Sequence, residues 1–191
     1  MLVRPLLTLT AFSLLLASQP CVASDLPEQA LKKPLENFEI YCYRTGGKYS
    51  HISNLALAMK LKPISEDLVP AMTGTKSTGG RAFIIEIDKT NNFSILLMIS
   101  KPDACSIYIQ GIAYSQVRDK FLSAFIAAPA MGGDVGLQIT QFYVPGGKTG
   151  TKKEARELGL IAATFPKTEF SNHGFTLSFL PPETVLAQFP K

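Results

Sequence analysis

Two cysteines constrain this chain more than any other feature. Of three in the sequence, Cys21 lies in an N-terminal leader, which leaves Cys42 and Cys105. Two cysteines allow one connectivity, and an oxidising compartment favours the disulfide over two free thiols. Metal binding is disfavoured, because neither cysteine has a second ligand at close spacing. A Cys42–Cys105 bond closes a loop of more than sixty residues, worth about 4 kcal/mol in the chain-entropy model. Any fold for this chain has to bring these two positions together.

The leader itself reads as a secretory signal. Arg4 precedes an apolar run from Pro5 to Ala17, and SQPCVAS follows with small residues at Cys21 and Ala23. A basic start, a short apolar middle and a small-residue cut site are its three parts. The expected boundaries are a signal peptide at 1–23 and a single α+β domain at 24–191. The competing reading, a lipid anchor on Cys21, is disfavoured by Gln19 and Pro20. The apolar run is shorter than the roughly 20 residues a membrane span needs, so no transmembrane span is expected in the mature chain. The expected location is periplasmic or secreted.

Residues 24–33 read as a polar, partly ordered leader. Pro34 suits the first turn of a helix whose Leu35, Phe38, Tyr41, Cys42 and Thr45 fall on one side, stopped by Gly46 and Gly47. A second helix is expected from Ser50 to Leu61, with Ile52, Leu55, Ala56 and Met59 as its stripe and Pro63 as its end. A further turn starts at Ser65. Three strands follow, AFIIEID, FSILLMIS and CSIYIQG. Their alternating residues are Phe83, Ile85 and Ile87, then Phe93, Ile95, Leu97 and Ile99, then Cys105, Ile107 and Ile109. The face carrying Cys105 is expected to lie under the helix carrying Cys42.

Ser115 reads as the N-cap of a helix with Val117, Phe121, Ala124, Phe125 and Ala128 as its stripe, ended by Pro129. APAMGGDVG reads as a flexible turn and LQITQFYV as a fourth strand. Thr151 and Glu154 have capping-box spacing for a short helix closed by Gly159. LIAATF and FTLSFL complete the strands, and ETVLAQF a terminal helical turn. The expected architecture is α+β: an antiparallel sheet of about six strands, arranged as a three-strand meander, a helix and three more strands. N-terminal helices cover it on one face, and one disulfide ties it.

Several motifs invite a chemical reading. KTGT, at 148–151, resembles the third active-site motif of penicillin-binding proteins and serine β-lactamases, but no serine has the lysine three residues later that this chemistry needs. The same lysine and glycine echo a P-loop end, yet Phe142 stands where the first glycine is required. GTKSTGG presents backbone N–H groups but precedes a strand, without a helix dipole. The two glycine-rich loops remain the candidate binding loops, through Lys76, Ser77 and Thr78 and through Lys148 and Thr149. His51 and His173 are the sole histidines, each near a loop or helix start and without a nucleophile-elbow pattern. No catalytic residue, metal site or cofactor is assigned. Lys148, Lys152, Lys153 and Arg156 interleave with Glu154 and Glu157 as a solvated helix face. Asn92-Phe93-Ser94 fits a glycosylation acceptor.

Tyr41-Cys42-x-x-Thr45, taken with Cys105-x-Ile-x-Ile-x-Gly111, is similar to a pattern of small exported proteins of Gram-negative bacteria with no assigned activity. The resemblance covers residues 35–111. It implies a periplasmic setting and a disulfide frame, and it carries over no reaction and no functional residue. The net charge of +4 is mild and points to no nucleic acid. The expected function is a non-enzymatic binding or protein-interaction module, with another envelope protein or an anionic envelope component as partner. The alternative is a small envelope hydrolase using His51 or His173.

Overall fold

The structure, a computed structural model, describes residues 28–70, 79–86, 93–167 and 174–188. The leader, the 73–78 loop segment with Lys76, Ser77 and Thr78, Ile87, the Asn92 sequon and His173 lie outside the described residues. The backbone of Phe93 opens a strand, and its side chain is likewise outside the described set.

The chain forms one antiparallel sheet of eight strands, in the order β1-β2-β3-β4-β8-β7-β6-β5. The strands are β1 (Lys62–Pro63), β2 (Gly80–Glu86), β3 (Phe93–Ser100), β4 (Asp103–Ile109), β5 (Ala128–Val135), β6 (Gln138–Val144), β7 (Leu160–Pro166) and β8 (Phe175–Leu180). The helices are α1 (Glu28–Phe38), α2 (Tyr49–Ala58), α3 (Tyr114–Phe125), α4 (Lys152–Leu158) and α5 (Pro182–Gln188). The α+β class and the antiparallel sheet are as expected, and the count of about six strands is corrected to eight. The two additions are edge strands. Pro63 pairs with Phe83, where a helix end was expected. Ala128–Val135 pairs with β6 through a bulge between Pro129 and Met131, where a flexible turn was expected. A proline and a bulge are tolerated at an edge because no second neighbour needs the missing N–H.

One face of the sheet carries the main core. Cys105, Ile107 and Ile109 of β4 are fully buried there, as are Leu96 and Met98 of β3 and Leu177 of β8. The buried face of β3 is therefore Ser94, Leu96 and Met98, opposite to the expected one. FSILLMIS is apolar on both faces, so alternation alone cannot orient it; register does, by setting Met98 opposite Cys105 and Leu96 opposite Ile107. Helices α1, α2 and α3 cover this face. Phe38 of α1 meets Phe125 of α3 edge-on at 5.5 Å, and Tyr43 meets both Phe125 and Phe179. Such rings add about 0.5–1.5 kcal/mol per pair beyond their buried area.

The helix expected from Pro34 begins at Glu28, so Pro34 lies within it. The extra turns are held by Leu31 against the core and by a Glu28–Lys120 ion pair of 2.9 Å to α3. Helix α2 ends at Ala58, and Met59, expected on its apolar stripe, is 58% exposed. Helix α3 is capped at Ala113 rather than Ser115, where the Gln116 side chain accepts the Ala113 N–H at 2.9 Å. Helices α4 and α5 lie on the opposite sheet face, where Ala155 and Val185 bury Val144 and Leu160 in a second, smaller core. Coverage is thus two-sided, in place of the one-sided coverage expected.

Between α1 and β4 the predicted disulfide is present. Cys42 and Cys105 are bonded with Cα atoms 5.3 Å apart, and both are fully buried. Residues Glu39–Tyr43 form a π-helical turn that carries Cys42. Its end is tied by Thr45 Oγ1, which donates to the Tyr41 and Cys42 carbonyls, and by the Gly47 N–H, which donates to the Cys42 carbonyl. Gly47 has φ +66, a left-handed conformation that favours glycine.

Candidate functional site

Of the two glycine-rich loops, the described one is closed on itself. The N–H groups of Lys148, Thr149 and Thr151 all donate to the Glu154 carboxylate at 3.1–3.3 Å, and the Thr149 hydroxyl adds a fourth bond at 3.0 Å. In return, Thr151 Oγ1 accepts the Glu154 N–H, completing the predicted capping box. The backbone donors offered by this loop are engaged by a carboxylate from its own helix. These bonds to Lys148 and its neighbours hold the Glu154 carboxyl down at about 2. The Lys148 and Thr149 side chains themselves face solvent.

His51 is exposed, and its Nδ1 lies 3.4 Å from the Thr45 carbonyl oxygen. Among the described residues no group of three or more His, Cys, Asp or Glu side chains could hold a metal ion. Among the same residues no helix is long and apolar enough to cross a membrane.

A concave site that sequence reasoning missed sits where the first turn of α3 passes over the ends of β6 and β7. Strand alternation puts Ile139, Gln141 and Tyr143 on the helix-covered face, with Phe165 opposite Ile139 and the small Ala163 opposite Gln141. Tyr114 of α3 descends onto them, 4% exposed, and stacks on Phe165 with centroids 4.7 Å apart and planes 20° off parallel. The Tyr114 hydroxyl donates to the Tyr143 hydroxyl at 3.0 Å, and Tyr143 donates to Gln141 Oε1 at 2.5 Å. Burial first, and the bond to Tyr143 second, push the Tyr114 phenol far above its ordinary value, against a smaller opposing effect of Arg118. Tyr114 is therefore a fixed donor and not a base at neutral pH.

This relay of hydroxyls satisfies Gln141 at its oxygen, and among the described residues its amide N–H groups have no acceptor. Gln141, Phe165 and Ile139 line a cleft of about 280 Å³ together with Arg118, Lys167 and Gly174. Gly174 has φ +82, and a Cβ there would run into the Ile109 carbonyl oxygen, so the wall cannot be thickened at that point. Lys167 is ion-paired with Asp134 at 2.9 Å. Arg118 is exposed and is in no ion pair among the described residues. Among the described residues no aspartate or glutamate lines the cleft. A larger groove of about 530 Å³ runs between α1 and α3; its two lysines are already paired, as Glu28–Lys120 and Lys32–Glu36, and Glu39 and Asp119 add further negative charge.

A sequence signal for the cleft exists in retrospect. Tyr114, Val117 and Phe121 have helical spacing, and Gln141 is a polar residue in the period-2 register between Ile139 and Tyr143. A polar group on a covered sheet face needs a partner or a purpose. No family model, curated protein or solved structure matches this chain.

Proposed function

We propose that this chain is an exported, non-enzymatic binding module that takes a small ligand in the cleft under the first turn of α3. One observation carries the site: a relay from buried Tyr114 and Tyr143 ends on the half-buried Gln141 amide, in a cleft that Arg118 also lines and that no described acidic residue lines. A pocket that is mostly apolar and holds a few fixed polar groups is the usual form of a small-molecule site. Export rests on the signal-like residues 1–23, on the disulfide, and on the resemblance to small exported proteins of Gram-negative bacteria. An anionic component of the bacterial envelope fits Arg118, which is in no ion pair among the described residues. For the hydrolase alternative, the polar contact of His51 among the described residues is Nδ1 with the Thr45 carbonyl oxygen, and no described serine, cysteine or carboxylate is bonded to its ring.

The test is a fragment screen by two-dimensional NMR on the oxidised mature chain. The expected result is a set of hits whose shifts centre on the amides of Tyr114, Gln141 and Phe165. Hits that all map to the 145–151 loop or to the α1–α3 groove would move the site elsewhere.

A further inference from the structure

We infer that the cleft recognises a small monocarboxylate with a flat apolar body, Arg118 and the Gln141 amide taking the carboxylate and Phe165 with Ile139 taking the body. This rests on the binding-module reading above and deepens it. Charge fixes the first part. Among the described residues the cleft has two cations and no acid, and Lys167 is ion-paired with Asp134. Of the described lining cations, Arg118 is left to meet one negative charge. A guanidinium presents paired N–H donors in a plane, which fits a carboxylate with two bonds. The Gln141 amide group adds donors that no described protein acceptor takes, and its oxygen is held by Tyr143. A doubly charged phosphate would meet one cation without an ion pair among the described residues.

Shape fixes the second part. The stacked Tyr114 and Phe165 rings, Ile139 and Pro166 make the walls apolar. The volume of about 280 Å³ lies at the lower edge of the roughly 300–1,000 Å³ typical of ligand sites. That is room for a single ring and a short acid, not for a nucleotide or an oligosaccharide. Tyr143 and Tyr114 anchor the amide from below, so the donor geometry is set before a ligand arrives, which lowers the ordering cost of binding.

The probes are benzoate and phenylacetate, with benzamide and benzyl alcohol as uncharged counterparts and inorganic phosphate as an anion without a ring. Each is titrated at millimolar concentrations into the oxidised mature chain, reading the amide shifts of Tyr114, Gln141 and Phe165. The carboxylates should bind roughly tenfold or more tighter than benzamide, as an added charge-assisted bond requires. Arg118→Met should abolish that preference, and Arg118→Lys should restore it only in part; both are changes at one exposed position and leave the folded spectrum intact. If benzamide and benzoate bind in the cleft equally, or phosphate binds as well as benzoate, the carboxylate assignment falls while the binding module stands. If no probe moves the cleft amides, the assignment and the module reading both fall.

Discussion

Glu154 is a carboxylate held by three backbone N–H groups and a hydroxyl within one loop. The capping half of this arrangement was legible, since Thr-x-x-Glu is a local signature. The bonds to Lys148 and Thr149 were not, because they depend on how the preceding turn doubles back. The arrangement makes a pH prediction. The group's folded value falls from 4.5 to about 2, so its stabilisation is complete above the unfolded value and is lost as pH falls through the folded one. Urea midpoints of the native chain and Glu154→Gln should therefore differ at pH 6, converge below pH 4.5 and meet near pH 2. A difference independent of pH would show that the charge is irrelevant. Ile126 gives a second test. It caps α3 with φ 45 and is 73% exposed. A left-handed conformation costs an L-residue about 1–2 kcal/mol, part of which glycine gives back in unfolded-chain entropy. Ile126→Gly should raise the unfolding free energy by about 0.5–1 kcal/mol by chemical denaturation. A loss would mean that the exposed side chain is held by a contact worth more than the strain.

At the level of elements, the pairing of α1 with β4 was legible because two independent patterns agree. Helical spacing puts Cys42 with Leu35, Phe38 and Tyr41, and strand alternation puts Cys105 with Ile107 and Ile109; all are buried in one core. β5 was illegible for a physical reason: Pro129, Gly132 and Gly133 have poor strand propensity, and the strand forms because β6 supplies a full edge to pair with. The candidate cleft was illegible for a related reason, since Arg118 and Gln141 come to line one cleft only through the crossover of α3 from β4 to the far edge. The disulfide has a sequence separation of 63, and its loss should lower stability by about 4 kcal/mol, mostly by freeing the unfolded chain. Guanidinium unfolding of the oxidised chain against Cys42→Ala/Cys105→Ala should show this as a lower midpoint with a steeper slope, because the untied chain exposes more surface. Equal midpoints would mean that the reduced unfolded chain keeps enough structure to offset the loop-closure entropy.

The whole molecule is two sets of strands joined along one seam. β1–β4 precede α3, β5–β8 follow it, and the sets meet where Cys105, Ile107 and Ile109 of β4 face Phe179, Leu177 and Phe175 of β8. A seam of this kind is a natural place for a chain to split into two folding units. Three features oppose that here. The main core runs without a break from Phe83 on one side to Tyr143 and Ile161 on the other. Tyr43, which precedes every strand, packs on Phe179 of β8. At one end, Thr184 of α5 donates to the Asp103 carbonyl, and Lys48 at the start of α2 pairs with Glu183. A core shared in this way cannot lose one half without exposing the apolar face of the other, so unfolding should be all-or-none. Urea curves followed by far-UV circular dichroism and by near-UV tyrosine signal should coincide. Leu177→Ala, at the centre of the seam and fully buried, should shift both curves together by about 2–5 kcal/mol. Curves that separate in the native chain, or a substitution that shifts only one of them, would mean that the seam is a boundary between two units rather than the middle of one.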